Sequence, residues 1–397
     1  MMLPIEAYGI SPERGYLCQF DASDVALPDA LAGVRDTALS LPDLLPSGRV
    51  RSLLRDRLPD IGTNDIPNDA SDEQLRIAMV HYGFLVQAYV WGEEDPPEIL
   101  PRCLAVPIVA LADRLGQQPL LSYSAYVLDN WAKIEPGGGV TLDNIRMLQQ
   151  FLGGQDEAWF VMIHVAIEAQ AGQALTRMPK VIDAVRAGDA AAVQLQLQEI
   201  AEAWEGINAI FDRMPERCDP HMYFTRVRPF IHGWKDNPAM PHGLRYDGVE
   251  RYQSRGQAYR GQTGSQSSIV PAMDALMGVG HAQDPMKAYL DELHVYRPPA
   301  HRRFIEDVRS ESGLRPFVLS CGDPGLTEAY NANVQLVADF RSRHLEYAAS
   351  YINRQAKGAA GNDTEVGTGG TPFMRYLKKH RDETRARLLP IETRKSA

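Results

Sequence analysis

Apolar residues return every three to four positions over much of this chain, the spacing that places them on one face of an α-helix. Between residues 73 and 92 that face runs through Leu75, Ala78, Met79, Tyr82, Leu85 and Ala88. Residues 190 to 213 repeat the pattern with Val193, Leu197, Ile200, Ala201, Trp204 and Ile207. The longest run, 324 to 356, carries Leu326, Ala329, Val334, Val337, Phe340, His344, Ala348, Tyr351 and Ile352. Residues 156 to 177 differ, because Trp159, Phe160, Ile163, Val165 and Ile167 surround the helix axis and predict burial on most sides. Shorter helices are predicted at 269 to 277 and 372 to 388. Alternating runs are scarce and β-branched runs are short, so the fold class is all-α.

Breaks in the pattern divide the chain. The first 65 residues are richer in Pro and Gly and read as irregular. The clearest linker is Ile134-Glu135-Pro136-Gly137-Gly138-Gly139-Val140. It predicts two domains, a small, mainly helical N-terminal one over 1–135 and a large helical one over 141–397. A second non-helical stretch covers 233 to 268, and a long loop inside a compact domain is usually functional or disordered. A polar, glycine-rich tract at 357 to 371 precedes the last predicted helix.

Composition narrows the partners. A net charge of −10 argues against nucleic-acid binding, which needs a basic face. No apolar run approaches the roughly 20 residues of a membrane span, and no basic block with an apolar run opens the chain, so neither membrane insertion nor a signal peptide is expected. Cys18, Cys103, Cys218 and Cys321 are far apart and form no C-x-x-C pair. That predicts buried free thiols in a reducing cytoplasm, and argues against structural zinc and against covalently attached c-type haem, which needs C-x-x-C-H.

Few residues stand out as chemistry. His344 shares the apolar face of its helix with Phe340 and Val337; it is either a neutral core histidine or an axial ligand to haem iron, whose other ring nitrogen should donate to an acceptor. Arg341 and Arg343 are either solvated charges or partners for haem propionates. His164 lies in an almost wholly apolar helix, either satisfied in the core or lining a distal pocket. Arg228 follows Tyr223 and Phe224, which suits a substrate with a ring and a carboxylate, because Arg binds carboxylates bidentately. The loop Gly261-Gln262-Thr263-Gly264-Ser265-Gln266-Ser267-Ser268 opens a helix, offering either an anion site or a cap from Ser267 or Ser268. It lacks the Gly-Lys-Ser/Thr ending of a P-loop.

Taken together, these pieces resemble the indoleamine 2,3-dioxygenase family of haem enzymes, from about residue 70 to residue 388. The segments that carry the likeness are Leu100 to Pro107, Tyr126 to Trp131, Gly233 to Pro238, Gly264 to Ser268, Tyr296 to Arg302, Arg341 to Leu345 and Gly367 to Thr371. The resemblance implies a two-domain helical fold with one non-covalent haem b in the larger C-terminal domain. It implies His344 as the iron ligand, Arg341 as the propionate partner and Asp274 as its ion-pairing acid. Gly261 falls in the haem-edge loop with Thr263 and Gly264. Tyr123, Tyr223 and Phe224 fall on the indole pocket, Arg228 on the carboxylate clamp and Thr368 in the loop that closes on substrate.

The reaction implied inserts both atoms of O2 across the indole C2=C3 bond of L-tryptophan or a related indoleamine, with an external reductant, in a cytoplasmic monomer. A haem monooxygenase on a substituted indole and a non-catalytic haem or tryptophan sensor are the alternatives. Three positions depart from the family pattern. His164 stands where animal members carry a small serine and resembles the distal histidine of tryptophan 2,3-dioxygenases, which predicts a catalytic role in hydrogen-bonding the indole N–H or bound oxygen. Tyr223 replaces a phenylalanine and Gln262 a glycine.

Overall fold

The computed structural model describes residues 2–283, 285–358 and 373–391. Helices dominate it. The long predicted segments form helices Asp72–Trp91, Gln155–Leu175, Ala190–Asp212 and Pro324–Tyr351, and the short ones form Ile269–Met277 and Phe373–Arg385. Local chemistry sets their starts. Ser71 Oγ accepts from the Gln74 amide at 3.2 Å while Gln74 Oε1 accepts from the Ser71 amide at 3.1 Å, a reciprocal capping box. Asp189 and Asp323 cap the two longest helices by accepting from Ala192 N and Leu326 N. Pro324 then occupies the first turn, where its missing N–H costs nothing.

The 324–351 helix stops short of the predicted 356 and tightens into a 3-10 turn at Asn353–Gly358. Residues 1–65 are less irregular than their composition predicts: they hold helices Ala32–Leu39, Leu41–Leu44 and Val50–Arg57. Each is too short to show a periodic face, and packing on neighbours supplies what propensity lacks. Cys103 is half-buried and Cys321 exposed, so only Cys18 and Cys218 fit the expectation of buried thiols.

The four long helices build the centre of the molecule. The 324–351 helix packs on 190–212 and on 373–385, and 190–212 packs on 155–175. One contiguous apolar core runs from Tyr8 to Leu389. The Ile134–Val140 segment connects a short antiparallel hairpin, Trp131–Lys133 with Ile145–Met147. No helix among the described residues is long and apolar enough to cross a membrane.

The non-helical 233–268 stretch is held in place by specific contacts. Arg260 pairs with Asp236 at 2.8 Å and Glu292 at 3.0 Å, and Lys235 reaches Glu292 at 2.5 Å. A Cβ on Gly233 would lie 2.1 Å from Gly261 N, so only glycine lets the two ends of this stretch touch. That contact places the 261–268 loop against the central helices.

Candidate active site

A cavity of about 280 Å³ opens between the central helices. Its lining includes His164 and Phe160 from one helix, and Phe340, Arg341, His344, Tyr347, Ala348 and Tyr351 from another. The latter set recurs every three to four residues, so one helix face supplies a whole wall. The 262–271 segment, Tyr123, Tyr223, Tyr376 and His380 complete the enclosure.

His344 is neutral at physiological pH, because burial among apolar groups lowers its pKa to about 4. Among the described residues neither of its ring nitrogens has a hydrogen-bond partner, so the acceptor expected behind an iron ligand is not supplied by them. Burial lowers the pKa of His164 too. Its Nδ1 lies 2.7 Å from the Phe160 carbonyl oxygen. A carbonyl only accepts, so Nδ1 carries the proton, and Nε2 is left as a lone-pair acceptor on a cavity-lining ring.

One turn from His344, Arg341 forms a bidentate pair with Asp274, at 3.1 and 2.6 Å, and also meets Thr384 Oγ1. Burial alone would raise the Asp274 pKa, but the Arg341 charge, the hydrogen bonds from His281 and Arg341 and the His281 charge together outweigh it and bring it down to about 2. Arg343 does not join this cluster. It points outward to Asp212 at 2.5 Å and is 40% exposed, the solvated alternative.

On the other side, Tyr123 Oη and Ser267 Oγ both donate to Glu168 Oε1, at 3.0 and 2.7 Å. Burial pushes the fully enclosed Glu168 carboxyl up to about 7 despite these two donors. Ser267 Oγ also accepts from the Ile269 amide at 3.3 Å, so Ser267, not Ser268, serves the helix start. Gln266 staples the loop to the pocket: its Oε1 accepts from Tyr123 N at 2.9 Å and its Nε2 donates to the Gly261 carbonyl at 3.0 Å. Arg297 donates to the Ser265 and Ser267 carbonyls at 2.7 and 3.1 Å.

Of the residues singled out from sequence, Tyr123, His164, Tyr223, Thr263, Gly264, Asp274, Arg341 and His344 line this one cavity. Phe224, Arg228 and Gly261 do not. Arg228 is fully buried, its guanidinium 5.6 Å from the Phe224 ring centroid; burial raises the Tyr223 phenol's pKa to about 12, and the nearby Arg228 charge only partly opposes it. Thr368 lies outside the described residues. Sequence reasoning missed Glu168, Gln266, Arg297, His281 and His380. A buried acid on an otherwise apolar helix was the available signal for Glu168; the others carry none, being polar residues in polar segments.

A model of the indoleamine 2,3-dioxygenase family matches residues 4–387. The chain belongs to the indoleamine 2,3-dioxygenase family. It is 32% identical over 395 residues to indoleamine 2,3-dioxygenase 2 of Homo sapiens, covering 96% of this chain and 95% of that protein. Against indoleamine 2,3-dioxygenase 1 of Rattus norvegicus it is 33% identical over 405 residues, with 97% and 96% covered. Indoleamine 2,3-dioxygenase nanC of Aspergillus nanangensis is 32% identical over 403 residues, with 96% of each chain covered.

Membership makes the chain a haem-dependent dioxygenase of indoleamines, with haem b as cofactor. The residues present fit that group. A half-buried neutral imidazole with no hydrogen-bond partner among the described residues faces a largely apolar cavity, and a guanidinium lies one turn away.

Proposed function

We propose that this family member acts on L-tryptophan, inserting both atoms of O2 across the indole C2=C3 bond to give N-formylkynurenine, the first step of the kynurenine route. The observation that carries the reading is the His164 tautomer. A neutral acceptor nitrogen in an apolar cavity matches the indole N–H, which is a donor only. Bound haem supplies the activation of O2. The protein binds, orients and encloses the substrate.

In this reading His344 holds the iron, and Arg341, kept charged and fixed by Asp274, faces a haem propionate. Gly261, Thr263 and Gly264 run along the haem edge. Tyr123, Tyr223 and Phe224 flank the indole ring, and Thr368 belongs to the closing segment. Arg228 takes the substrate carboxylate by turning from the Phe224 face to the pocket. The chain works as a cytoplasmic monomer, with an external reductant keeping the iron ferrous. Residues 1–135 form a small helical domain and 141–397 the catalytic one.

Tyr223 and Gln262 both line the cavity, and their polar side chains favour one second reading, a substituted indole as substrate. Turnover of L-tryptophan by the reduced, haem-loaded chain under isotopically labelled O2 separates the cases. Two labelled atoms in one product support the proposal. One labelled atom moves the chemistry to monooxygenation, and haem binding without turnover of any indole leaves a sensor. His164→Ala, which removes one neutral hydrogen bond worth about 0.5–1.5 kcal/mol, raises KM with an unchanged Soret band. Arg228→Ala removes a charge-assisted pair worth about 1.5–3 kcal/mol and raises KM further; unaltered tryptophan affinity would remove the clamp assignment.

A further inference from the structure

Behind the Arg341–Asp274 pair, three side chains of a different kind converge. His380 and Glu383 sit three residues apart on the Phe373–Arg385 helix, so they share a face. His281 meets them from the segment that follows the 269–277 helix. One ligand-type atom from each of the three lies within 4.8 Å of the others. We infer that His281, His380 and Glu383 form a binding site for a divalent transition-metal ion of the zinc class, which pins the last helix to the wall of the haem cavity.

Three observations carry this. The donor set is the first: two imidazoles and one carboxylate suit Zn²⁺ with one position left open. The second is the arrangement behind His281. Its Nδ1 lies 2.6 Å from Glu383 Oε2, while its Nε2 lies 3.4 Å from Asp274 Oδ2. With the ion on Nδ1, the Nε2 proton points at Asp274, a carboxylate that fixes the tautomer and ring of a ligating histidine. The third is an orphan. His380 is only 7% exposed, and its Nε2 has no hydrogen-bond partner among the described residues. A buried polar atom left so is costly, and coordination would satisfy this imidazole. Its ring lies 4.4 Å from that of His281, centroid to centroid.

Metal bonds of about 2.0–2.1 Å bring ligand atoms to roughly 3.3 Å apart. The cluster therefore contracts on binding, with Glu383 the half-buried ligand on its outer side. Lys379, 3.5 Å from Glu383 Oε1, is the cation that gives way. The ion would join Asp274 and His281 to a helix whose Tyr376, Leu377 and His380 line the cavity. The site rests on these side chains alone and not on the choice of substrate.

The test uses the full, haem-loaded chain after chelator dialysis, titrated with Zn²⁺ in competition with a chromogenic chelator, with metals counted by elemental analysis. One zinc per chain beyond the haem iron, with a raised thermal midpoint, is expected. His380→Ala and the near-isosteric Glu383→Gln each weaken binding by more than the roughly 10–100-fold that loss of an outer partner costs, with the Soret band unmoved in Glu383→Gln, whose side chain is not part of the cavity lining. No stoichiometric zinc in the unmodified chain overturns the inference, as does binding unchanged in both variants. A Soret shift in His380→Ala without zinc binding to the parent chain also overturns it, by assigning His380 to the haem.

Discussion

Two buried polar clusters flank the cavity, and they solve one electrostatic problem in opposite ways. Burial penalises charge in both. Asp274 keeps its charge because a bidentate guanidinium and the His281 imidazole together compensate it. Glu168 has two hydroxyl donors and no cation pairing with it among the described residues, and its carboxyl shifts up to about 7. A partner charge reinforced by charge-assisted hydrogen bonds from Arg341 and His281 thus outweighs desolvation where two neutral hydrogen bonds do not. One cluster holds a fixed charge beside the His344 wall; the other offers a titratable group behind the His164 wall.

The comparison can be broken at several points. The largest effect is expected from His344→Ala, which leaves the Arg341 side without its imidazole: haem content and the Soret band fall, and turnover with them. A normal haem spectrum in this variant would dismantle the assignment of the two walls. Arg341→Ala strands the Asp274 carboxylate, and breaking a buried pair by removing one partner costs about 3–5 kcal/mol. Denaturant titration of the haem-free chain reads it; a loss under about 1 kcal/mol would show that the pair is solvated.

Glu168→Gln sharpens the contrast through pH. The folded-state pKa is raised from 4.5 to about 7, so the protonated carboxyl favours the folded state. That stability is fully present below 4.5 and is lost as pH rises through about 7, a change on the order of a few kcal/mol. The Gln variant should flatten this slope in denaturant titrations between the two values. The Asp274 contribution has the opposite sign: it is present above 3.8 and lost as pH falls through about 2. A parent chain whose stability does not change from pH 5 to 8 would contradict the neutral Glu168.

The smallest effect is Ser267→Ala. It removes one donor to Glu168 and the acceptor for the Ile269 amide, about 0.5–1.5 kcal/mol for each hydrogen bond. Because that donor holds the carboxyl pKa down, its loss raises the pKa further, visible as a shifted midpoint in the same pH series.

The helical frame was legible because periodic apolar faces need no partner to be recognised. The 72–91, 155–175, 190–212 and 324–351 helices follow their hydrophobic patterns to within a few residues. His344 and His164 were legible as polar residues in apolar surroundings. Their environments follow from the same fact that made them visible, since a polar group on an apolar helix face is buried when the face is. The short helices of the first 65 residues were not legible, being too short to show a periodic face, and the 233–268 stretch was legible as non-helical but not in its path, which contacts distant in sequence hold: Arg260 with Glu292, and Gly233 against Gly261.

By itself, then, the sequence determined the all-α class, the central helices and the family motifs, all of which depend on local spacing. Only the tertiary structure decided which wall each polar residue joins. It turned Arg341 inward and Arg343 out, two positions apart on one helix. It left Arg228 against Phe224 and brought His281 beside His380 and Glu383, about a hundred residues away. A pKa or a ligand set depends on distances of a few ångströms between such side chains, and those distances are fixed by how helices pack, which no stretch of local sequence encodes.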